Sequence, residues 1–294
     1  MNTHLMRQRL GFIGTGLMGG AMVERLIACG HAPAIWNLEP EKLAPLVARG
    51  AQAADSPAAV AARSDVVMLC VLDTAAVESV VFGPGGVAEA GSLGKVLVDH
   101  STAMPEPTVR MAARLHDATG MNWVDAPVSG GPAFARDGQL TVMAGGEPGA
   151  VEAVLPVLRH YAARVTHMGP SGAGQMVKVI NQAISGVGYV LMAEALRLAE
   201  ASGIDAARVP ECLRGGHADS TMLQFAFPKM LKREFEPPAS LARQMLKDLH
   251  NVSAEAHRFG LDLPLVAAAE ERFARYCEAG GAMRETASVY TLYE

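Results

Sequence analysis

Short apolar runs separated by helix-like stretches fill the first half of the chain. Residues 10–14, 34–37, 64–72, 95–99, 122–126 and 141–145 read as strands, and residues 18–29, 41–49 and 57–62 as helices. Strands that alternate with helices predict βαβ units around a parallel sheet. Val66-Val67-Met68-Leu69 shows no alternation of polarity, the pattern of a strand covered on both faces. After Met168 the strand signals fade. From 172 to 202 a single helical pattern runs on, with Val177, Ile180, Ile184, Val187, Leu191, Ala195 and Leu198 at three- and four-residue spacing. Gly203 supplies a stop. Further helices are expected over 207–214, 240–259 and 264–279. The turn formers Gly169-Pro170-Ser171-Gly172 predict a joint. The expectation is an α/β domain over 1–168, then an all-helical domain over 169–294.

Composition narrows the classes. The 294 residues are 50% hydrophobic and 19% charged, a balance that excludes a disordered chain. Lys plus Arg number 25 against 30 Asp plus Glu, a net charge of −5, and no long basic run points to nucleic acid. The longest unbroken apolar run, 66–72, is too short for a bilayer, so no membrane partner is expected. Arg7 and Arg9 precede an apolar stretch at 10–23, but five glycines interrupt it and Glu24-Arg25 follows. That is not the three-part pattern of a signal peptide. Cys29, Cys70, Cys212 and Cys277 stand far apart. They read as reduced, buried structural thiols of a cytoplasmic protein rather than a metal knuckle or disulfide scaffold.

One motif carries chemistry on its own. Gly14-Thr15-Gly16-Leu17-Met18-Gly19 follows the first strand and opens the first helix, the GxGxxG arrangement. Gly14 permits the turn, Gly16 lets a pyrophosphate approach the backbone, and Gly19 lets helix and strand pack. The helix start offers N–H groups to phosphate. This predicts a Rossmann-type domain. The tip of the second strand, Asn37-Leu38-Glu39, lacks an arginine for a 2′-phosphate. Asn37 can bond a ribose hydroxyl and Glu39 would repel phosphate, although Lys42 stands within reach. The balance favours NAD over NADP.

Further along, four more segments stand in order: Asp99-His100-Ser101-Thr102, then Asp125-Ala126-Pro127-Val128-Ser129-Gly130-Gly131, then Gly172 to Gln182, then Lys247-Asp248-Leu249. With the glycine turn, they make the chain resemble the β-hydroxyacid dehydrogenases over nearly its whole length. The resemblance implies a catalytic lysine at Lys178 and a substrate carboxylate held by Ser129, Gly130 and Gly131, with Asn181 orienting it. It implies cofactor contacts from Gly14 to Gly19 and at Asn37, Leu38, Leu72, Thr102 and Lys247. It also implies a nicotinamide dinucleotide (NAD or NADP), a small carboxylate-bearing substrate, and a homodimer or homotetramer. The residues carry part of this unaided. A hydroxyl beside two glycine N–H groups suits an anion, and Lys178, Asn181 and Gln182 share one helical face. A plain turn and a snorkelling surface lysine are the alternative readings of those two segments, and Lys247 alone reads equally as an exposed charge paired with an acid.

Departures from the family pattern bear on specificity. Leu38 stands where many relatives have arginine, and Ser240, after Pro237-Pro238, where many have an aromatic residue. Tartronate semialdehyde/glycerate is the first expected substrate pair. 3-Hydroxyisobutyrate, threonate-type sugar acids and succinic semialdehyde follow. A non-catalytic dinucleotide-sensing module is the alternative class. His217 reads as a loop residue with no second histidine at ligand spacing, so no metal site is expected.

Overall fold

The computed structural model describes residues 8–294, and Arg7 therefore lies outside the described residues. Two compact units divide at Lys178/Val179, within a helix and nine residues past the joint expected near Gly169.

In the first unit the chain runs β1 (Leu10–Ile13), α1 (Leu17–Ala28), β2 (Ala34–Trp36), α2 (Ala44–Val47), β3 (Gln52–Ala53), α3 (Pro57–Arg63), β4 (Val66–Leu69), α4 (Thr74–Phe82), β5 (Val96–Asp99), α5 (Pro105–Thr119) and β6 (Asn122–Asp125). It continues with β7 (Val128–Ser129), α6 (Gly131–Arg136), β8 (Leu140–Gly145), α7 (Pro148–Leu158) and β9 (Ala162–Gly169). Local chemistry sets several starts. Ser56 Oγ accepts the Ala59 N–H ahead of α3, with Pro57 at the first helical position. Asp73 does the same for α4 through Ala76.

The sheet order is β3-β2-β1-β4-β5-β6-β8-β7, with β9 against β8. The pairs from β3 to β6 are all parallel. This is the Rossmann order, which reverses direction between β1 and β4 and opens a crevice at their carboxyl ends. The parallel expectation fails at one edge, where β8 runs antiparallel to both β6 and β7. The chain reverses in the connection 130–139 between β7 and β8, which is shorter than the dozen or so residues that a parallel crossover needs. Sequence reading also passed over β3, β7 and β9. The first two have only two residues each. β9 is an edge strand exposed along most of its length, so its hydrophobic signal is weak.

Strand residues alternate between two cores. Phe12, Met68, Val98 and Val124 join Met22 and Leu26 of α1 on one face. Ile13, Val67, Leu69 and Leu97 join Val77 and Val81 of α4 on the other. Burial on both faces is why these strands read as continuous apolar runs.

α8 (Ala173–Ser202) starts in the first unit and continues into the second. By length and composition it passes for a membrane span, although 39% of its most apolar window is buried in protein. Gln175, Lys178 and Gln182 are themselves buried. The second unit adds α9 (Val209–Leu213), α10 (Thr221–Leu231), α11 (Ala242–Arg258) and α12 (Pro264–Tyr276), and its described residues hold no strand element. The expectation of four buried thiols is corrected. No disulfide joins the four cysteines, but Cys212 is exposed and the others are only partly covered. Cys212 belongs to a five-residue helix with little surface to hide it.

Candidate active site

The glycine turn is shaped by what its neighbours exclude. Gly14 has φ +88°, and a Cβ there would lie 2.4 Å from the Cys70 carbonyl oxygen. A Cβ on Gly19 would lie 1.9 Å from the Gly14 carbonyl oxygen. A Cβ on Gly16, by contrast, would meet nothing within 4 Å. So two glycines serve packing and the middle one faces open space. No side chain caps α1 at Gly16, which leaves its first N–H groups to a ligand. Thr15 Oγ1 is buried without a hydrogen-bond partner among the described residues. An uncapped helix start, an orphaned hydroxyl and an open glycine fit a dinucleotide pyrophosphate.

The strand tips add the rest of the rim. Asn37 Oδ1 accepts the Thr15 N–H at 2.7 Å, and its amide donates to Glu39. Asn37 therefore braces the glycine turn, a role its sequence position did not reveal. Lys42 Nζ lies 2.5 Å from Glu39 Oε2, which with the Asn37 bond holds the Glu39 carboxyl below its usual range. Leu38 is 81% exposed and Leu72, just beyond β4, is 45% exposed. Thr102 follows β5 and is half-buried.

Behind this rim lies a buried polar layer. Asp99 Oδ1 accepts the Ser101 N–H at 2.8 Å, while Oδ2 has no partner among the described residues. Burial, with Asp125 nearby, pushes its carboxyl up to about 7. His100 Nδ1 lies 2.6 Å from the Ala126 carbonyl oxygen and Nε2 lies 2.8 Å from the Tyr161 hydroxyl. A carbonyl only accepts, so Nδ1 carries the proton and Tyr161 donates to Nε2. Burial holds His100 down at about 4 and raises Tyr161 well above its ordinary value. This histidine is neutral core structure.

Asp125, at the end of β6, caps the helix that carries the lysine. Its Oδ1 accepts the Gly172 N–H at 2.8 Å and its Oδ2 the Gln175 N–H at 3.0 Å. A carboxylate at a helix start satisfies orphan donors and meets the positive end of the dipole. Burial nevertheless raises its pKa, because those bonds only partly offset desolvation. The Gln175 amide ties the same turn to the β5 loop, accepting from Ala103 N–H and donating to the Ser101 carbonyl. One turn on, Lys178 is 8% exposed and its Nζ donates to the Val128 carbonyl oxygen at 2.8 Å. Ser129 is the next residue, followed by Gly130 at φ +132° and Gly131 at φ +83°. The fold thus puts a buried amine beside the serine–glycine turn, fifty residues away in sequence.

The second unit holds its own polar chain. Asn181 Nδ2 donates to Gln182 Oε1 at 2.7 Å, and Gln182 Nε2 donates to Asp248 Oδ2. Lys247 Nζ lies 2.8 Å from Asp248 Oδ1. So Lys247 does pair with an acid, and that acid is buried. Reading the sequence passed over Asp125, Gln175 and Asp248 as contributors. An acid ending an apolar strand and an acid directly beside a motif lysine are the signals the sequence offers. His217 is exposed.

A glycine turn of this build, at the reversal point of a 3-2-1-4-5-6 sheet, defines a dinucleotide-binding protein. Comparison with known proteins narrows the class. Residues 9–169 match the model of the NAD-binding domain of 6-phosphogluconate dehydrogenase. Residues 172–293 match that of the NAD-binding domain of NADP-dependent 3-hydroxyisobutyrate dehydrogenase. The chain is 36% identical to 2-hydroxy-3-oxopropionate reductase of Escherichia coli, covering 93% of this chain and 92% of that one. It is 32% identical to L-threonate dehydrogenase of Cupriavidus necator, covering 98% and 97%. The crystal structure of 3-hydroxyisobutyrate dehydrogenase from Salmonella typhimurium superposes with a TM-score of 0.87 at 30% identity, covering 97% and 99%. The chain belongs to the β-hydroxyacid dehydrogenase family, as its ordered motifs led us to expect, and is an NAD(P)-dependent hydroxyacid oxidoreductase.

Proposed function

We propose that this enzyme interconverts a small β-hydroxy acid and its semialdehyde, with tartronate semialdehyde/glycerate as the preferred pair and Lys178 as the general acid/base. The observation that carries this reading is the buried Lys178 amine, 2.8 Å from the Val128 carbonyl beside Ser129-Gly130-Gly131. A nicotinamide dinucleotide at the glycine turn supplies the hydride acceptor or donor. The Ser129 hydroxyl and the N–H groups of Gly130 and Gly131 hold the substrate carboxylate, which fixes the β-carbon relative to Lys178. Asn181, one helical turn on, orients the substrate. In oxidation the neutral Lys178 amine takes the hydroxyl proton. In reduction the ammonium returns it to the carbonyl oxygen, so no free alkoxide forms. The bond to Val128 occupies one N–H and aims the nitrogen without consuming its lone pair.

The 36% identity to 2-hydroxy-3-oxopropionate reductase supports the tartronate semialdehyde reading, and the L-threonate dehydrogenase match keeps a sugar-acid substrate as the second. NAD is the proposed cofactor, because Glu39 stays ionised at the strand tip with Lys42 already paired to it. We place the enzyme in the cytoplasm, which four cysteines without a disulfide support. Assembly as a dimer or tetramer would use Ile180, Ile184, Leu191 and Leu198, an exposed apolar stripe along α8. A pure monomer in sedimentation at micromolar protein contradicts that assembly. The functional test is absorbance at 340 nm with NADH or NADPH against a panel of semialdehydes, and with NAD+ or NADP+ against the matching acids. Turnover should be lost in Lys178→Ala while dinucleotide binding persists. Unchanged turnover in that variant refutes the lysine's role, and silence of the wild type with binding intact favours a sensing module.

A further inference from the structure

Within the second unit, an acid dictates which way two side-chain amides face. Gly186 of α8 packs so closely on α11 that a Cβ there would lie 2.6 Å from Leu249 Cδ2. That approach sets Gln182, one turn back along α8, against Asp248, and each is only 7% exposed. A carboxylate only accepts hydrogen bonds, whereas an amide can turn either end toward a neighbour. Asp248 Oδ2 therefore takes the Nε2 end of Gln182, while Asp248 Oδ1 lies 2.8 Å from Lys247 Nζ. With that end fixed, Gln182 Oε1 must face the other way. Asn181 meets it with Nδ2 at 2.7 Å, and the same nitrogen lies 3.5 Å from Ser185 Oγ. The NH2 group of Asn181 is thus engaged within α8. Its Oδ1 has no hydrogen-bond partner among the described residues.

We propose that Asp248 and Gln182 are positioning residues that set the Asn181 amide to offer the substrate an acceptor, and that this acceptor selects acids bearing a hydroxyl group at C2. Their role rests on the function proposed above, in which Asn181 orients a β-hydroxy acid. An amide oxygen needs a donor opposite it. The oxygen on C3 loses its proton on oxidation and becomes an acceptor. A hydroxyl on C2 keeps its proton in both the acid and the semialdehyde, so it remains a donor throughout the reaction. Glycerate and tartronate semialdehyde carry that group. 3-Hydroxyisobutyrate has a methyl group there, and 3-hydroxypropionate has only hydrogen. Were the chain of amides reversed, Asn181 would present NH2, which suits a carbonyl or carboxylate oxygen instead. A fixed acceptor rejects an analogue lacking the hydroxyl more strongly than an apolar wall does, because a polar group is left unpaired.

The experiment compares kcat/KM of the full-length protein for glycerate, 3-hydroxypropionate and 3-hydroxyisobutyrate, read from the absorbance of the reduced dinucleotide. Wild type should prefer glycerate to either of the others by about tenfold or more, the worth of one hydrogen bond. Asp248→Asn lets Gln182 turn over, and Gln182→Met breaks the chain of amides. In each, the preference should fall below about threefold. Asp248→Asn combined with Gln182→Glu puts a donor at position 248 and acceptors at position 182, which sets Asn181 as before, so the preference should return. A merely structural role for the pair predicts no such rescue. Any change at Lys247 acts on all three acids alike and cancels in the ratio. Dinucleotide binding, followed by fluorescence, confirms that each variant is folded, with Gln182→Leu used where Gln182→Met is not. Equal wild-type kcat/KM for the three acids, a preference that survives loss of Gln182, or one that the double exchange fails to restore overturns the positioning role. Wild type silent on all three acids with dinucleotide binding intact overturns the proposed function, and the positioning role falls with it.

Discussion

Replacing Asp99 by asparagine isolates the energetic effect of a buried charge behind the cofactor rim. Asp99 is fully buried, keeps one bond from the Ser101 N–H, and leaves Oδ2 without a partner among the described residues. Its carboxyl rises from 3.8 to about 7, mainly through desolvation. An acid whose pKa is higher in the folded than in the unfolded state stabilises the fold below the unfolded value. That contribution is lost as pH rises through the folded value. At about 1.4 kcal/mol per unit, the whole effect is about 4 kcal/mol, of which about 3 kcal/mol falls between pH 5 and pH 8. His100 works against it. Its pKa drops from 6.5 to about 4, so its contribution is present above 6.5 and lost as pH falls toward 4. The wild-type curve is therefore a compromise, and the informative quantity is the difference between Asp99→Asn and wild type, in which His100 cancels. Asparagine keeps the shape and the Ser101 bond and cannot ionise. Thermal unfolding followed by circular dichroism at pH 5, 6, 7 and 8 reads the difference. The variant should gain on wild type by about 3 kcal/mol across this range, about 6 °C in Tm for a chain of this size. Parallel Tm–pH curves for the two proteins refute the reasoning.

Four further substitutions test separate parts of the site. Gly19→Ala forces a Cβ to within 1.9 Å of the Gly14 carbonyl oxygen and should cost about 3 kcal/mol of stability. Gly16→Ala meets only open space, so it should cost less than about 1 kcal/mol in folding yet weaken dinucleotide binding tenfold or more. Equal effects of the two on Tm would contradict the division of labour among the glycines. Leu38→Arg puts a guanidinium at the exposed strand tip and should raise the NADP-to-NAD ratio of kcat/KM about tenfold. An unchanged ratio would remove this tip from cofactor selection. Asp125→Asn sets an NH2 group against one of the two N–H donors of α8 and should lower kcat about 10- to 100-fold. Dinucleotide affinity, measured by fluorescence, should stay the same. A normal kcat would show that the cap does not position Lys178.

The local code of this protein is readable along the chain. Apolar runs marked the central strands because burial on both faces requires them. The glycine turn announced itself because backbone approach to phosphate demands that spacing. The fourfold run of further motifs carried the family and the lysine. The short strands β3 and β7 escaped because two residues carry no period, and the antiparallel edge because direction is set by connection length rather than by composition. Lys178 read in isolation as a surface lysine. Its burial against Val128, its helix cap at Asp125 and the bracing of the glycine turn by Asn37 arise from residues 50, 47 and 22 positions apart. The bond from Gln182 to Asp248 is longer-range still. Sequence fixes which groups each element can present, since propensity and periodicity act within a few residues. Which groups meet, what burial does to their charge, and which amine stands beside which turn are decided by packing between elements, and there the tertiary structure alone is informative.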